Sequence, residues 1–270
     1  MTQPRYTVNC SILLTDLPLL ERPLAAREAG FDGVEFWWPF DTSTPDETEV
    51  DRFVSAITNA GVELTGLNFN AGDMPGGDRG LVSWPERSRD FRDNLDVVTA
   101  IGEATGCRGF NALYGNRIEG VQAQDQDEVA RENLALAADA VARIGGTVLV
   151  EPVSGAPAYP LLTAAQAIEV IDGVERDNIG LLFDVYHLAV NGEDVDAARK
   201  AYQDRIAHVQ IADAPGRDQP GTGELPITRW ISDLSDGGYQ GWFGLEYKPA
   251  STASSADPFA WLDFDQRGSK

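Results

Sequence analysis

The 270 residues are 43% hydrophobic and carry a formal charge of −22, from 43 acidic against 21 basic side chains. The length suits one large core and matches the ~250 residues of a closed α/β barrel. The charge argues against a nucleic-acid partner and reads as an acidic, well-solvated exterior, and no run approaches the ~18 apolar residues of a membrane span. The opening segment MTQPRYTVNC has no signal-peptide profile, so a cytoplasmic protein is expected.

Short apolar runs predict strands over 6–10, 33–37, 63–69, 109–114, 147–151, 180–184, 206–211 and 242–246. Helical patterns fall between them, over 19–29, 46–60, 86–105, 128–144, 164–174, 195–204 and 227–235. The first begins after Pro18 and stops at Gly30, and the second opens with acidic residues and stops at Gly61, as helix-end chemistry requires. Such alternation gives either an open doubly wound sheet or a closed barrel. Eight strands in this length, with no glycine-rich nucleotide turn after the first, favour a single (β/α)8 TIM barrel spanning 1–270. Within it, 251–270 reads as a loose tail with a short capping helix over 258–264.

Four polar residues close apolar strands: Glu151 in TVLVE, Asp184 in GLLFD, Gln210 in AHVQ and Glu246 in FGLE. They recur about every 30 residues, the length of one strand and its returning helix, so all four belong at the carboxyl mouth of the barrel. Burying such groups is costly unless a cation compensates them, and a hard-oxygen set suits Mg²⁺ or Mn²⁺. His187 and His208 are the only histidines, which disfavours a multi-histidine zinc site. Period-two alternation puts Leu149, Leu182, His208 and Gly244 one layer below, as a floor.

Glu151 and Glu246 approach the mouth from different sides, where two carboxylates flanking a metal-bound carbon acid relay a proton, or else serve only as ligands. His187, in DVYH, is a candidate donor to a substrate hydroxyl, whereas His208 lies too deep for direct contact. Arg217, in the loop DAPGRDQPGTGE, and Lys248 are candidates for binding a substrate carboxylate. The run Phe36-Trp37-Trp38-Pro39-Phe40 reads as a hydrophobic wall or an oligomer contact, and Glu35 in the same strand is a candidate to support the site from behind its ligands, a role that position alone leaves open. Cys10 and Cys107 are too few and too far apart for a disulfide framework and are expected as buried small side chains.

The segments REAGFDGVEFWWP, LVEPVS, DVYH, HVQIAD, GRDQPGTGE and GYQGWFGLEYKP resemble the hydroxypyruvate isomerase family of the xylose isomerase-like TIM barrels. Related ketose 3-epimerases usually carry His where Gln210 stands, and the segment after Pro249 departs from the family's usual ending. The resemblance implies a metal-dependent isomerase interconverting hydroxypyruvate and tartronate semialdehyde, a small-molecule 2-oxo acid reaction. It implies Glu151 and Glu246 as proton donor and acceptor, both ligating the metal with Asp184 and Gln210. The competing readings are a 2-oxo-tetronate isomerase, a ketose 3-epimerase, and a sugar- or acid-binding barrel without turnover. A homo-oligomer is compatible with the chain.

Overall fold

The computed structural model describes residues 3–248 and 257–268. Eight parallel strands close in chain order: β1 (Arg5–Asn9), β2 (Gly33–Phe36), β3 (Glu63–Asn68), β4 (Gly109–Asn111), β5 (Thr147–Val150), β6 (Ile179–Asp184), β7 (Ile206–Ile211) and β8 (Trp242–Leu245), with β8 bonded back to β1. The returning helices are α1 (Arg22–Glu28), α2 (Glu47–Ala60), α3 (Ser88–Thr105), α4 (Ala123–Ala142), α5 (Ala164–Val174), α6 (Val185–Val190), α7 (Val195–Tyr202) and α8 (Ile227–Asp236); α9 (Phe264–Arg267) follows. The expected (β/α)8 barrel is the fold. None of the described helices is long and apolar enough to cross a membrane.

Local chemistry accounts for the helix ends. Asp46 accepts the N–H of Glu49 while the Glu49 side chain reaches back to the N–H of Asp46, a capping box that starts α2. Thr163 and Gln166 do the same for α5. Each helix buries one stripe against the sheet, and β6, enclosed by the barrel lumen and the helices, is buried at every position.

The main departures from expectation lie in four segments. β4 ends at Asn111 rather than at 114, where its pairing with β5 stops. α4 begins at Ala123, not 128, because its polar first turn is held from outside: the fully buried Gln126 donates to the carbonyls of Ser83 and Asn116 at 3.2 and 3.1 Å. α6, not anticipated, starts directly from β6 because the Asp184 side chain caps it, accepting the N–H groups of Tyr186 and His187 at 2.8 and 3.2 Å. The terminal helix lies at Phe264–Arg267, and 258–261 forms turns instead, with Phe259 packed edge-on against Phe31 and buried Arg267 donating to the carbonyls of Leu262 and Phe259. The tail over 251–256 lies outside the described residues.

Inward side chains stack in layers. Low in the lumen the hydroxyls of Thr7 and Thr65 meet at 2.7 Å. Above them the expected floor of Leu149, Leu182, His208 and Gly244 also contains Glu35. Strand register then aligns Asp184 with Gln210 and Asn9 with Glu35, which sets the polar top of the barrel.

Candidate active site and metal centre

Glu151, Asp184, Gln210 and Glu246 are all buried at the carboxyl ends of β5 to β8. One ligand atom each from Glu151, Asp184, His187 and Glu246 lies within 4.8 Å of the others. Above them opens a pocket of about 790 Å³, walled by Trp37, Trp38 and Phe40 on one side and bordered by Arg79, Arg87 and Arg217.

The three carboxylates are unequally supported. Glu246 Oε1 accepts from Asn9 Nδ2 at 3.0 Å and Trp37 Nε1 at 2.7 Å, and Oε2 accepts from Arg217 Nη2 at 2.6 Å. Glu151 has one such donor, Asn111 Nδ2, at 2.7 Å from Oε2. Asp184 spends Oδ1 on capping α6. Burial pushes all three carboxyls upward, and for Glu151 and Glu246 repulsion from neighbouring carboxylates adds to this. Glu151 is raised well above the usual range, first by burial and then by the charges of Glu246 and Asp184. Glu246 is pushed up to about 7 by burial, with Arg217 opposing and Asp184 and Glu35 reinforcing the shift. For Asp184 burial again leads, offset by Arg217 and the capping N–H groups.

The residues fit a divalent cation. Asp184 Oδ2 and Gln210 Oε1 are both buried and have no hydrogen-bond partner among the described residues. Orphaned buried oxygens are rare, and two of them beside crowded carboxylates make a site that positive charge would complete. The Gln210 side chain also borders a cavity of about 10 Å³ in the floor beneath.

His187 stands in the same cluster but is built differently. Its Nδ1 accepts the backbone N–H of Ser154 at 3.0 Å, with the Ser154 hydroxyl 2.7 Å away. An N–H can only donate, so the ring proton is on Nε2, which faces Asp184 Oδ2 at 3.6 Å and Glu151 Oε1 at 3.9 Å. Burial, aided by the Arg217 charge, lowers its pKa to about 3, so the ring is a neutral donor.

Of the cations expected to meet a carboxylate, Arg217 is placed in the pocket. Its Nε donates to the Glu246 carbonyl at 3.2 Å, its Nη2 lies 4.0 Å from Asp184 Oδ2, and its guanidinium stands over the Tyr186 ring. The loop carrying it is organised by Asp213, whose carboxylate accepts the N–H groups of Ala214, Gly221, Gly223 and Leu225 at 2.9 to 3.0 Å. Lys248 is exposed and does not line the pocket; only its backbone N–H reaches inward, to the Arg217 carbonyl at 2.7 Å. His208 sits below, 2.7 Å from Glu35, as its depth predicted.

Sequence reasoning passed over Asn9, Asn111, Arg79 and Arg87, and read Trp37 only as part of a hydrophobic wall or an oligomer contact. Asn9 and Asn111 end β1 and β4, the same strand-end signal that picked out the carboxylates. Trp37 hid in an aromatic run, yet it hydrogen-bonds Glu246 as well as walling the pocket. Cys10 and Cys107 are buried, and burial pushes both thiols up, as inert side chains should behave.

Residues 23–263 match the model of the xylose isomerase-like TIM barrel family. A putative hydroxypyruvate isomerase of Streptomyces coelicolor is 51% identical, over 98% of both chains. The hydroxypyruvate isomerase of Escherichia coli is 30% identical over 96% of this chain and 98% of its own. A crystal structure from Brucella melitensis, described as an AP endonuclease of family 2, superposes with a TM-score of 0.85 at 34% identity, covering 96% of this chain and 99% of that one. A closed eight-stranded barrel, an acidic cluster at its carboxyl mouth and these similarities along nearly the whole chain lead to one assignment: the chain belongs to the xylose isomerase-like TIM barrel family, among relatives named hydroxypyruvate isomerase, and is an isomerase.

Proposed function

We propose that the chain interconverts hydroxypyruvate and tartronate semialdehyde by proton transfer, with a divalent cation, Mg²⁺ or Mn²⁺, held by Glu151, Asp184, Gln210 and Glu246. The observation that carries this reading is the pair of buried glutamates on opposite sides of one oxygen-rich cluster, with a guanidinium beside them. Support for the substrate comes from the two relatives whose names specify it.

The reaction moves two protons and leaves the oxidation level of the molecule unchanged. A carboxylate removes a C3 proton and electrons shift to the C2 oxygen; a proton is then delivered to C2 while the C3 hydroxyl becomes the aldehyde and its proton passes to the C2 oxygen, leaving a C2 hydroxyl. The bound cation would supply charge stabilisation at the carbonyl and the neighbouring oxygen. Glu246, with three donors favouring its ionised form, is suited to begin as the base; Glu151, with one donor and raised well above the usual range, is suited to carry the returning proton. Reversing the direction exchanges the roles. The Nε2–H of His187 is a fixed donor for the substrate hydroxyl or carbonyl, and Arg217 is the nearest cation for the carboxylate. Trp37, Trp38 and Phe40 give the pocket an apolar wall.

The same site argues against nucleic acid, whose cleavage in this superfamily uses histidine-rich zinc clusters. Here one histidine faces the cluster, and the chain is strongly acidic. The pocket volume is large for a three-carbon acid, so the assay includes 2-oxo-tetronates and free ketoses beside hydroxypyruvate, each with Mg²⁺ or Mn²⁺. Aldehyde formation from hydroxypyruvate, with solvent deuterium entering at C2, is the expected result. Binding of metal and acid with no turnover of any of these substrates would instead make the barrel a binding protein.

A further inference from the structure

The floor of the site holds a carboxylate that none of these steps uses. Glu35 is 2% exposed, and among the described residues no Arg or Lys hydrogen-bonds it. Its Oε1 accepts from Gln210 Nε2 at 2.7 Å and from Asn9 Nδ2 at 3.1 Å, and its Oε2 meets His208 Nε2 at 2.7 Å. The backbone is shaped around it. A Cβ on Gly244 would lie 2.7 Å from Glu35 Oε1, and one on Gly66 would lie 3.3 Å from Glu35 Cβ.

The Gln210 bond matters because the two ends of a glutamine amide have almost the same size and shape. Packing alone leaves open which end points away from the floor, and only the oxygen end can ligate a cation. A carboxylate oxygen at 2.7 Å settles the choice, since it accepts the amide N–H and repels the amide oxygen. Oε1 is then the amide atom left over, buried and without a hydrogen-bond partner among the described residues. Asn9 extends the arrangement upward, because its one Nδ2 donates to both Glu35 Oε1 and Glu246 Oε1.

We propose that Glu35 is a positioning residue for the metal centre: its carboxylate, locked by His208 and the two glycines, fixes the Gln210 amide so that oxygen rather than nitrogen is presented to the cation. The inference rests on the reading of Gln210 as a ligand. It separates Glu35 from an ordinary buried charge by one property: its effect on metal binding passes through the handedness of an amide and disappears when residue 210 has oxygen at both ends.

The test is calorimetric titration of the metal-free protein with Mn²⁺, with circular dichroism confirming that each variant is folded. Glu35→Leu removes the acceptor, and Glu35→Asp keeps the charge but draws the acceptor back by one methylene. Each is expected to weaken Mn²⁺ binding by about 10- to 100-fold, the usual range for residues that orient a ligand. In Glu35→Leu/Gln210→Glu either orientation presents an oxygen, so most of the lost affinity is expected to return. Wild-type affinity in the folded Glu35→Asp variant, or no recovery in the double variant, overturns the inference. Failure of the unmodified protein to bind any divalent cation overturns the metal reading itself and is told apart by that control.

Discussion

The backbone N–H of Ser154 lies 3.0 Å from Nδ1 of His187, and this bond decides what the far side of the ring can do. With Nδ1 accepting, Nε2 carries the hydrogen and faces the cluster as a donor, so His187 sits among the carboxylates without the lone pair a ligand needs. His187→Ala is therefore expected to retain Mn²⁺ affinity within a few-fold while kcat/KM falls by about 100-fold, the scale of one lost catalytic donor. Ser154→Ala removes the hydroxyl and leaves the backbone N–H, so a loss below about 10-fold is expected. Metal titration beside steady-state kinetics checks both, and a large fall in metal affinity for His187→Ala would make the residue a ligand after all.

Arg217 and Lys248 looked equivalent as carboxylate binders in the sequence, but the fold separates them. Arg217 is tied to the Glu246 side chain and carbonyl beside the cluster, whereas the Lys248 side chain is exposed. Lys248→Ala should leave KM for hydroxypyruvate within about twofold, as surface changes usually do. Arg217→Lys keeps the charge but loses the planar fork and is expected to raise KM by at least about 10-fold. The reverse pattern in the two KM values would move acid recognition to the Lys248 side.

Much of this was legible before the fold was known, because burial forces particular chemistry on a sequence. A carboxylate closing an apolar strand has few ways to be stable, so Glu151, Asp184 and Glu246 announced a shared site. Parallel strands need returning helices, so their spacing gave the barrel. The asparagines were harder, since Asn9 and Asn111 carry no charge whose burial demands an explanation; their part appears only when they are seen donating to Glu246 and Glu151. α6 escaped because its start is set by the Asp184 side chain, a residue already read as a ligand, of whose two oxygens one caps the helix and the other has no hydrogen-bond partner among the described residues. Glu35 needed the strand register and the glycines of neighbouring strands, which lie far away in sequence.

Three crowded carboxylates also make the metal-free protein sensitive to pH, in a direction fixed by their shifts. In the unfolded chain they ionise near pH ~4, whereas in the folded protein Glu246 is held up to about 7 and Glu151 and Asp184 are raised as well. As pH rises through this window the unfolded chain releases its protons first, so folding loses stability that was fully present below pH ~4. The chelated protein should therefore melt lower at pH 8 than at pH 5, and Glu151→Gln should fall less over the same range. Surface repulsion in so acidic a chain acts in the same direction, so the difference between the two proteins is the decisive reading. Mn²⁺ at about 100 times its Kd should stabilise the protein by ~2.7 kcal/mol, and binding near neutral pH should release protons. Equal slopes in the two chelated proteins would show that the cluster does not titrate as described.

Asp213 offers a way to disturb Arg217 without touching it. Its buried carboxylate accepts four backbone N–H groups, two on each oxygen, and thereby folds the 213–225 loop back on itself. Arg217 lies within that loop at φ 61, a left-handed conformation that a non-glycine residue keeps only when its surroundings hold it. Asp213→Asn keeps the size but replaces one acceptor oxygen with a donor, which sets an NH₂ against two backbone N–H groups. The loop must then open at that end, and Arg217 should no longer be held against Glu246. The expected result is a rise in KM in the same direction as for Arg217→Lys, with metal affinity largely retained, because no cluster ligand comes from this loop. Faster proteolysis within 213–225 would accompany it. A variant with wild-type KM would show that the Arg217–Glu246 pair, and not the Asp213 anchor, is sufficient to hold the loop in place.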